Sequence, residues 1–121
     1  MNYYKAIVKV VAENSKNLEM LVNSDSIFFT EEKINRFYDG TNVEFETLSI
    51  SKTKIIDIIG ESGDKKYKCI LKSESDNGKE FKTEHIIMAF DITDAKDKAS
   101  EYAGEISAIH SLVETKISDI I

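Results

Sequence analysis

Strict alternation opens the chain: Tyr4, Ala6, Val8 and Val10 share one parity, and Tyr3, Lys5, Ile7 and Lys9 the other. This is the period-two pattern of a strand with one buried face. The polar stretch Glu13-Asn14-Ser15-Lys16-Asn17 leads into Leu18-Glu19-Met20-Leu21-Val22, which predicts a hairpin. Thr30 before Glu31 and Glu32 reads as a hydroxyl N-cap with two first-turn carboxylates favouring the positive end of the helix dipole. Ile34, Phe37 and Tyr38 give that helix one apolar face, and Gly40 ends it. A last strand follows, and the first half ends in Thr53-Lys54-Ile55-Ile56-Asp57-Ile58-Ile59.

The second half repeats this order at an offset of about 62 residues. Tyr67-Lys68-Cys69-Ile70-Leu71-Lys72 matches Tyr4-Lys5-Ala6-Ile7-Val8-Lys9, and Thr115-Lys116-Ile117-Ser118-Asp119-Ile120-Ile121 matches the end of the first half. Between them, Ser75-Asp76-Asn77-Gly78-Lys79 predicts a hairpin turn in which Asn-Gly supplies positive φ angles. Thr93 is the expected cap of a second helix, with Asp94 and Asp97 in its first turn, an apolar stripe of Ala95, Ala99, Tyr102 and Ala103, and Gly104 as its stop. Neither half has strands enough to stand alone.

The expected fold class is therefore α+β: two tandem β-β-α-β repeats forming one two-layer, pseudo-twofold domain. A single domain over 1–121 is expected, with repeat one at 3–59, a short polar linker at 60–65 and repeat two at 66–121. The two repeats are expected to share one core. The apolar tail Ile117, Ile120 and Ile121 is expected to be buried against that core or a partner subunit.

With 121 residues the chain suits one small globular domain. Cys69 is the lone cysteine, which points to a reducing compartment. No secretory signal pattern opens the chain, and no apolar run reaches the length of a membrane helix, so the cytoplasm is the expected location and no membrane partner is expected. Net charge is −6, and Arg36 is the one arginine among sixteen basic residues, which disfavours nucleic acid as a partner.

Chemistry is sparse. His85, His110 and Cys69 lack the paired spacing of a metal site, so no metal or other cofactor is expected, and the cysteine reads as a small core filler. No nucleophile elbow, phosphate loop or dinucleotide fingerprint appears, so no catalytic residue is assigned and the chain reads as a non-enzyme. Asp57 and Asp119 occupy matching places, as an acid/base pair would need, although a residue capping a turn or marking an exposed edge explains each more simply. The stronger binding candidate is a lysine stripe opposite the core faces: Lys5 and Lys9 in the first half, and Lys66, Lys68 and Lys72 in the second. Tyr3 or Tyr67 would stack on a base beside it. An ordinary solvated lysine face that discourages edge pairing accounts for the same pattern.

Several segments resemble the short proteins grouped as domain of unknown function 4494, found in Bacteroidetes and their phages, including crAss-like phages. They are Lys66-Tyr67-Lys68, the hairpin Asp76-Asn77-Gly78-Lys79-Glu80-Phe81-Lys82-Thr83, Asp91-Ile92-Thr93-Asp94-Ala95, and the run Ile109-His110-Ser111-Leu112-Val113-Glu114-Thr115-Lys116-Ile117-Ser118-Asp119-Ile120. The resemblance covers nearly the whole chain and implies a phage or mobile-element protein acting in the bacterial cytoplasm. It brings no activity and no catalytic residue. The expected function is then a small non-enzymatic binding protein, acting as a homo-oligomer that occludes a host protein such as a defence component. Two alternatives use the lysine stripe: an accessory nucleic-acid-binding factor in replication or transcription, and a sponge for a nucleotide signal.

Overall fold

The computed structural model describes residues 2–11 and 14–121, so Glu13 of the first turn lies outside the described residues. The chain is mixed α+β. Its elements are β1 (Asn2–Val11), β2 (Lys16–Ser24), α1 (Ile27–Tyr38), β3 (Glu44–Lys52), β4 (Ile55–Ile59), β5 (Lys65–Glu74), β6 (Glu80–Ala89), α2 (Ile92–Ala103), β7 (Ser107–Glu114) and β8 (Ile117–Ile120). Among the described residues the strands form two four-stranded sheets, ordered β3-β1-β2-β8 and β4-β6-β5-β7. Two compact units result: Met1–Thr53 with Lys116–Ile121, and Lys54–Thr115.

The sheets depart from the expected repeat boundaries. Each half holds four strands, and the fourth does not join its own half. β4 pairs in parallel with β6, while β8 pairs in parallel with β2. Matching threonines mark the departure points. Thr53 donates both its N–H and its hydroxyl to the Tyr3 carbonyl at 2.9 and 2.8 Å, and Thr115 does the same to Lys66, both at 2.8 Å.

The expected single core is likewise replaced by two clusters among the described residues, one per unit. In the first, Ala6 and Val8 of β1 and Met20 and Val22 of β2 meet Ile34 and Tyr38 of α1, with Ile121 packed at the edge. In the second, Tyr67, Cys69 and Leu71 of β5 and Ile87 and Ala89 of β6 meet Ala95, Ala99 and Ala103 of α2. Both helices face the sheet through positions four apart, one stripe of a 3.6-residue repeat. The bulk is divided differently: α1 brings Ile34 and Tyr38, whereas α2 brings three methyl groups and leaves the volume to the strands. Phe37 and Tyr102, expected on the apolar stripes, lie exposed.

The helices also begin earlier than expected. Ser26, not Thr30, caps α1, its hydroxyl accepting the Phe29 N–H at 3.1 Å; Thr30 is buried one turn in and donates to the Ser26 carbonyl at 2.8 Å. Asp91, not Thr93, caps α2 by accepting the Asp94 N–H at 2.8 Å. The carboxylate and the serine take these places because each is followed directly by helical backbone with free N–H groups. In the β5–β6 turn only Gly78 has positive φ, at 81°, and Asn77 does not. The five-residue loop closes instead through Gly78 N–H on the Ser75 carbonyl and Ser75 N–H on the Lys79 carbonyl. Among the described residues no helix is long and apolar enough to cross a membrane.

Gly63 precedes β5 at φ +127°, and a Cβ there would lie 2.3 Å from the Ala89 backbone. Gly40, at φ +76°, has open space around the same position. Gly63→Ala is expected to cost ~3 kcal/mol or more through strain and overlap, and Gly40→Ala about 1 kcal/mol through its φ alone. Urea denaturation of the two variants beside the wild type checks the order.

Candidate functional site

The lysine stripe forms on the face opposite each core, but the charges of Lys5, Lys68 and Lys72 are met by glutamates from the neighbouring strand. Lys5 lies 3.5 Å from Glu19, Lys68 2.7 Å from Glu84, and Lys72 3.2 Å from Glu80. The register explains the pairs, since Glu19 stands opposite Ile7 and Glu84 opposite Ile70, in the middle of each Lys-x-Ile-x-Lys run. Exposed pairs of this kind add little stability, yet they cancel the field that would draw phosphate. Lys9 stands between Asn17 and Glu46, and Lys66 is half-buried on β5. Tyr3 is half-buried on β1. Tyr67 is only 3% exposed and belongs to the second core, so it is not placed to stack on a ligand; burial, then the Glu114 charge, pushes its phenol pKa up.

Asp57 and Asp119 are placed in different units with different neighbours. Asp119 stands opposite Met20 in the β2–β8 register. Asp57 occupies the matching place on β4, opposite His85. There it builds a polar network that sequence reasoning missed. One carboxylate oxygen accepts from His85 Nδ1, and the other accepts the Tyr102 hydroxyl at 2.5 Å. His85 Nε2 lies 2.7 Å from the Thr83 hydroxyl, so both ring nitrogens are engaged in a side chain only 2% exposed. The Asp57 hydrogen bond, then burial, holds the Tyr102 proton and raises its pKa. In the first unit the equivalent space is apolar in kind: Met20 takes the place of the imidazole, and the Tyr38 hydroxyl is 4.0 Å from its sulfur. Burial, then the Asp119 charge, raises the Tyr38 pKa.

The order hydroxyl, imidazole, carboxylate is that of an acyl-transfer triad. Its residues, however, tie three elements of one unit together: β4 through Asp57, β6 through Thr83 and His85, and α2 through Tyr102. The concavity beside it, of about 300 Å³, is lined by Ile59, Gly60, Lys98, Glu101 and Tyr102 and meets only the Tyr102 end of the network. The geometry is that of a strand tie.

The two helix starts present the sharpest contrast. The second and third residues of α2 are Thr93 and Asp94. Asp94 accepts the Phe90 N–H at 3.0 Å and lies 3.2 Å from Lys98, whose ammonium also donates to the Ser62 and Met88 carbonyls and sits 5.7 Å above the Phe90 ring. The Phe90 amide first, and Lys98 second, hold the Asp94 carboxyl below the usual range. The second and third residues of α1 are Phe28 and Phe29. With Ile27 they are 56, 66 and 52% exposed, an apolar ridge that contributes nothing to the core. The two rings meet edge to face at 5.5 Å. Concavities flank the ridge. One, of about 290 Å³, runs past Asn23, Asp25, Phe29, Glu32 and Arg36, and the other, of about 240 Å³, lies between Ile27, Glu31 and the β3 residues Thr47 to Ile50. The sequence carried this signal as Ile-Phe-Phe, which reads equally well as buried strand.

Loss of the Asp57 carboxylate leaves a buried imidazole donor unmet. Asp57→Ala is expected to cost roughly 2–4 kcal/mol, and Asp119→Ala under about 1 kcal/mol, as read by chemical denaturation. Because the folded pKa of Asp94 is depressed, its stabilisation is present above the ordinary aspartate value of about 3.9 and is lost as pH falls through the lower folded value. The melting-temperature deficit of Asp94→Asn should therefore be fullest at neutral pH and shrink through that acid window; a deficit constant with pH contradicts the assignment.

Comparison with known proteins places no relative beside this geometry: no family model, no curated protein and no solved structure matches the chain.

Proposed function

We propose that the protein is a non-enzymatic binding module that engages another protein through the Ile27-Phe28-Phe29 ridge of α1. The single observation behind this reading is the use made of the first turn of each helix. At α2 those positions hold Thr93 and Asp94, of which Asp94 anchors the helix start through the Phe90 N–H and Lys98, whereas at α1 they hold two aromatic rings turned to solvent. Clustered exposed apolar side chains carry a solubility cost and mark contact surfaces. Phenylalanine is also among the residues enriched at protein interfaces.

The narrower reading, a cytoplasmic protein of a phage or mobile element that occludes a host protein such as a defence component, rests on the family resemblance alone. A nucleic-acid role is disfavoured by the Lys–Glu pairs on both sheets. A nucleotide sponge is disfavoured by the burial of Tyr67.

A photo-crosslinking phenylalanine analogue at position 28, carried by the full chain in producing cells, should give a discrete adduct with another protein. The same analogue at the exposed Phe81 should not. The double variant Phe28→Ser, Phe29→Ser should remain folded, because neither ring is in a core, and should lose partner recovery. Equal adducts at both positions, or none at position 28, would count against the ridge.

A further inference from the structure

We propose that Asn77 is a site of covalent self-modification: in the native β5–β6 turn the Gly78 main-chain nitrogen attacks its carboxamide, leaving isoaspartate and aspartate at this position. Asn77 is the one asparagine in the chain followed by glycine. The attacking nitrogen belongs to the next residue, so a side chain there would screen it, and glycine has none. Gly78 is exposed at φ +81°, and the place of its missing Cβ has only a Glu74 carboxylate oxygen near it, at 3.7 Å. Asn23 and Asn35, by contrast, precede Ser24 and Arg36 and lie within β2 and α1, where ladder or helix holds the main chain.

The turn also prepares the side chain for attack. Ser75 Oγ donates to Asn77 Oδ1, and the Lys79 N–H donates to the same oxygen at 3.4 Å. Two donors there draw electrons from Cγ and are placed for the negative charge that develops as it is attacked. The carboxamide nitrogen, which must leave, makes no hydrogen bond among the described residues. The Gly78 N–H is engaged by the Ser75 carbonyl at 2.9 Å, so this bond has to open first. Asp76 to Lys79 are all exposed and lie outside the core, so the opening is local and costs far less than unfolding.

Water is the only co-reactant. Gly78 N gives its proton to solvent base and bonds to Asn77 Cγ. The Cγ–Nδ2 bond breaks, and the amide nitrogen takes up a proton and leaves as ammonia, closing a cyclic imide. Water then opens the imide on either side. Cleavage between Gly78 N and the Asn77 main-chain carbonyl carbon gives isoaspartate, with the main chain rerouted through Cγ, and cleavage between Gly78 N and Cγ gives aspartate. Either product adds a negative charge to a turn in which Glu74 and Glu80 already stand opposite each other.

The full chain, kept in warm, mildly alkaline buffer and shown to stay folded by circular dichroism, is sampled over time by ion-exchange chromatography and peptide mapping. Isoaspartate is read by enzymatic methyl transfer to its free carboxyl. An acidic form modified at position 77 should accumulate at least ~10-fold faster than change at any other asparagine. Asn77→Gln, whose longer side chain has to close a larger ring, should abolish it. Gly63→Ala strains the opposite end of the same hairpin, where Lys65 pairs with Ala89, and should leave the rate at Asn77 within ~2-fold of the wild type. Wild type in urea below its unfolding transition gives the same comparison if that variant does not fold. An unmodified Asn77 in the folded chain, or faster loss at another asparagine, overturns the inference. So does a rate that rises with the unfolded fraction, roughly 30-fold or more for Gly63→Ala, because the native turn then protects Asn77.

Discussion

Two residues separate β3 from β4, and two separate β7 from β8, and this shortness governs the arrangement of strands. In the first sheet β3 lies on one edge of β1 and β2 on the other, so the free edge beside β2 is three strand spacings from β3, about 14 Å. It must also be filled in parallel with β2, which from β3 requires a crossover of a dozen or more residues. From Lys52 to Ile55 the chain spans at most about 11 Å. β4 therefore has no path to its own sheet. It is added to the second sheet beside β6, and by the same geometry β8 is added to the first beside β2. Thr53 and Thr115 fix the points of exit by placing two hydrogen bonds each on one carbonyl of the sheet the chain is leaving.

The exchange accounts for the chemistry of the Asp57–His85 network. Asp57 comes from the first half of the sequence and His85 from the second, and only because β4 lies on β6 do they meet. Asp119 stands at the matching place on β8 but meets Met20. One scaffold position thus holds a polar solution in one unit and an apolar one in the other. The polar solution is tolerated because every partner is supplied: Asp57 and Thr83 occupy the two nitrogens of His85, and Tyr102 satisfies the remaining carboxylate oxygen.

A similar divergence separates the helices. α2 is fastened at its start by Asp91, Asp94 and Lys98, and contributes only methyl groups to its core. α1 fills its core with Ile34 and Tyr38, is capped by Ser26, and leaves its first turn to Ile27, Phe28 and Phe29. The unit with the more ordinary core is the one that carries the exposed ridge. Its surface residues are free to serve contact because the cap and the i, i+4 stripe already satisfy the helix.

Much of the local structure was legible in the chain. Alternation from Tyr4 to Val8 and from Tyr67 to Leu71 identified the buried faces of β1 and β5, placed Cys69 in a core, and put Lys5, Lys68 and Lys72 on the opposite face. Helix starts were misjudged because Ile-Phe-Phe has no periodicity that distinguishes a strand from a helix, and because Ser26 and Asp91 cap as well as the threonines downstream. The Asp57–His85 pair, the Lys–Glu neutralisation and the exposure of the α1 ridge were not legible at all. Side-chain parity is a property of one strand and is written in its own residues. Which strand lies beside it is settled by the reach of the connections and by competition for sheet edges, and no single segment encodes either.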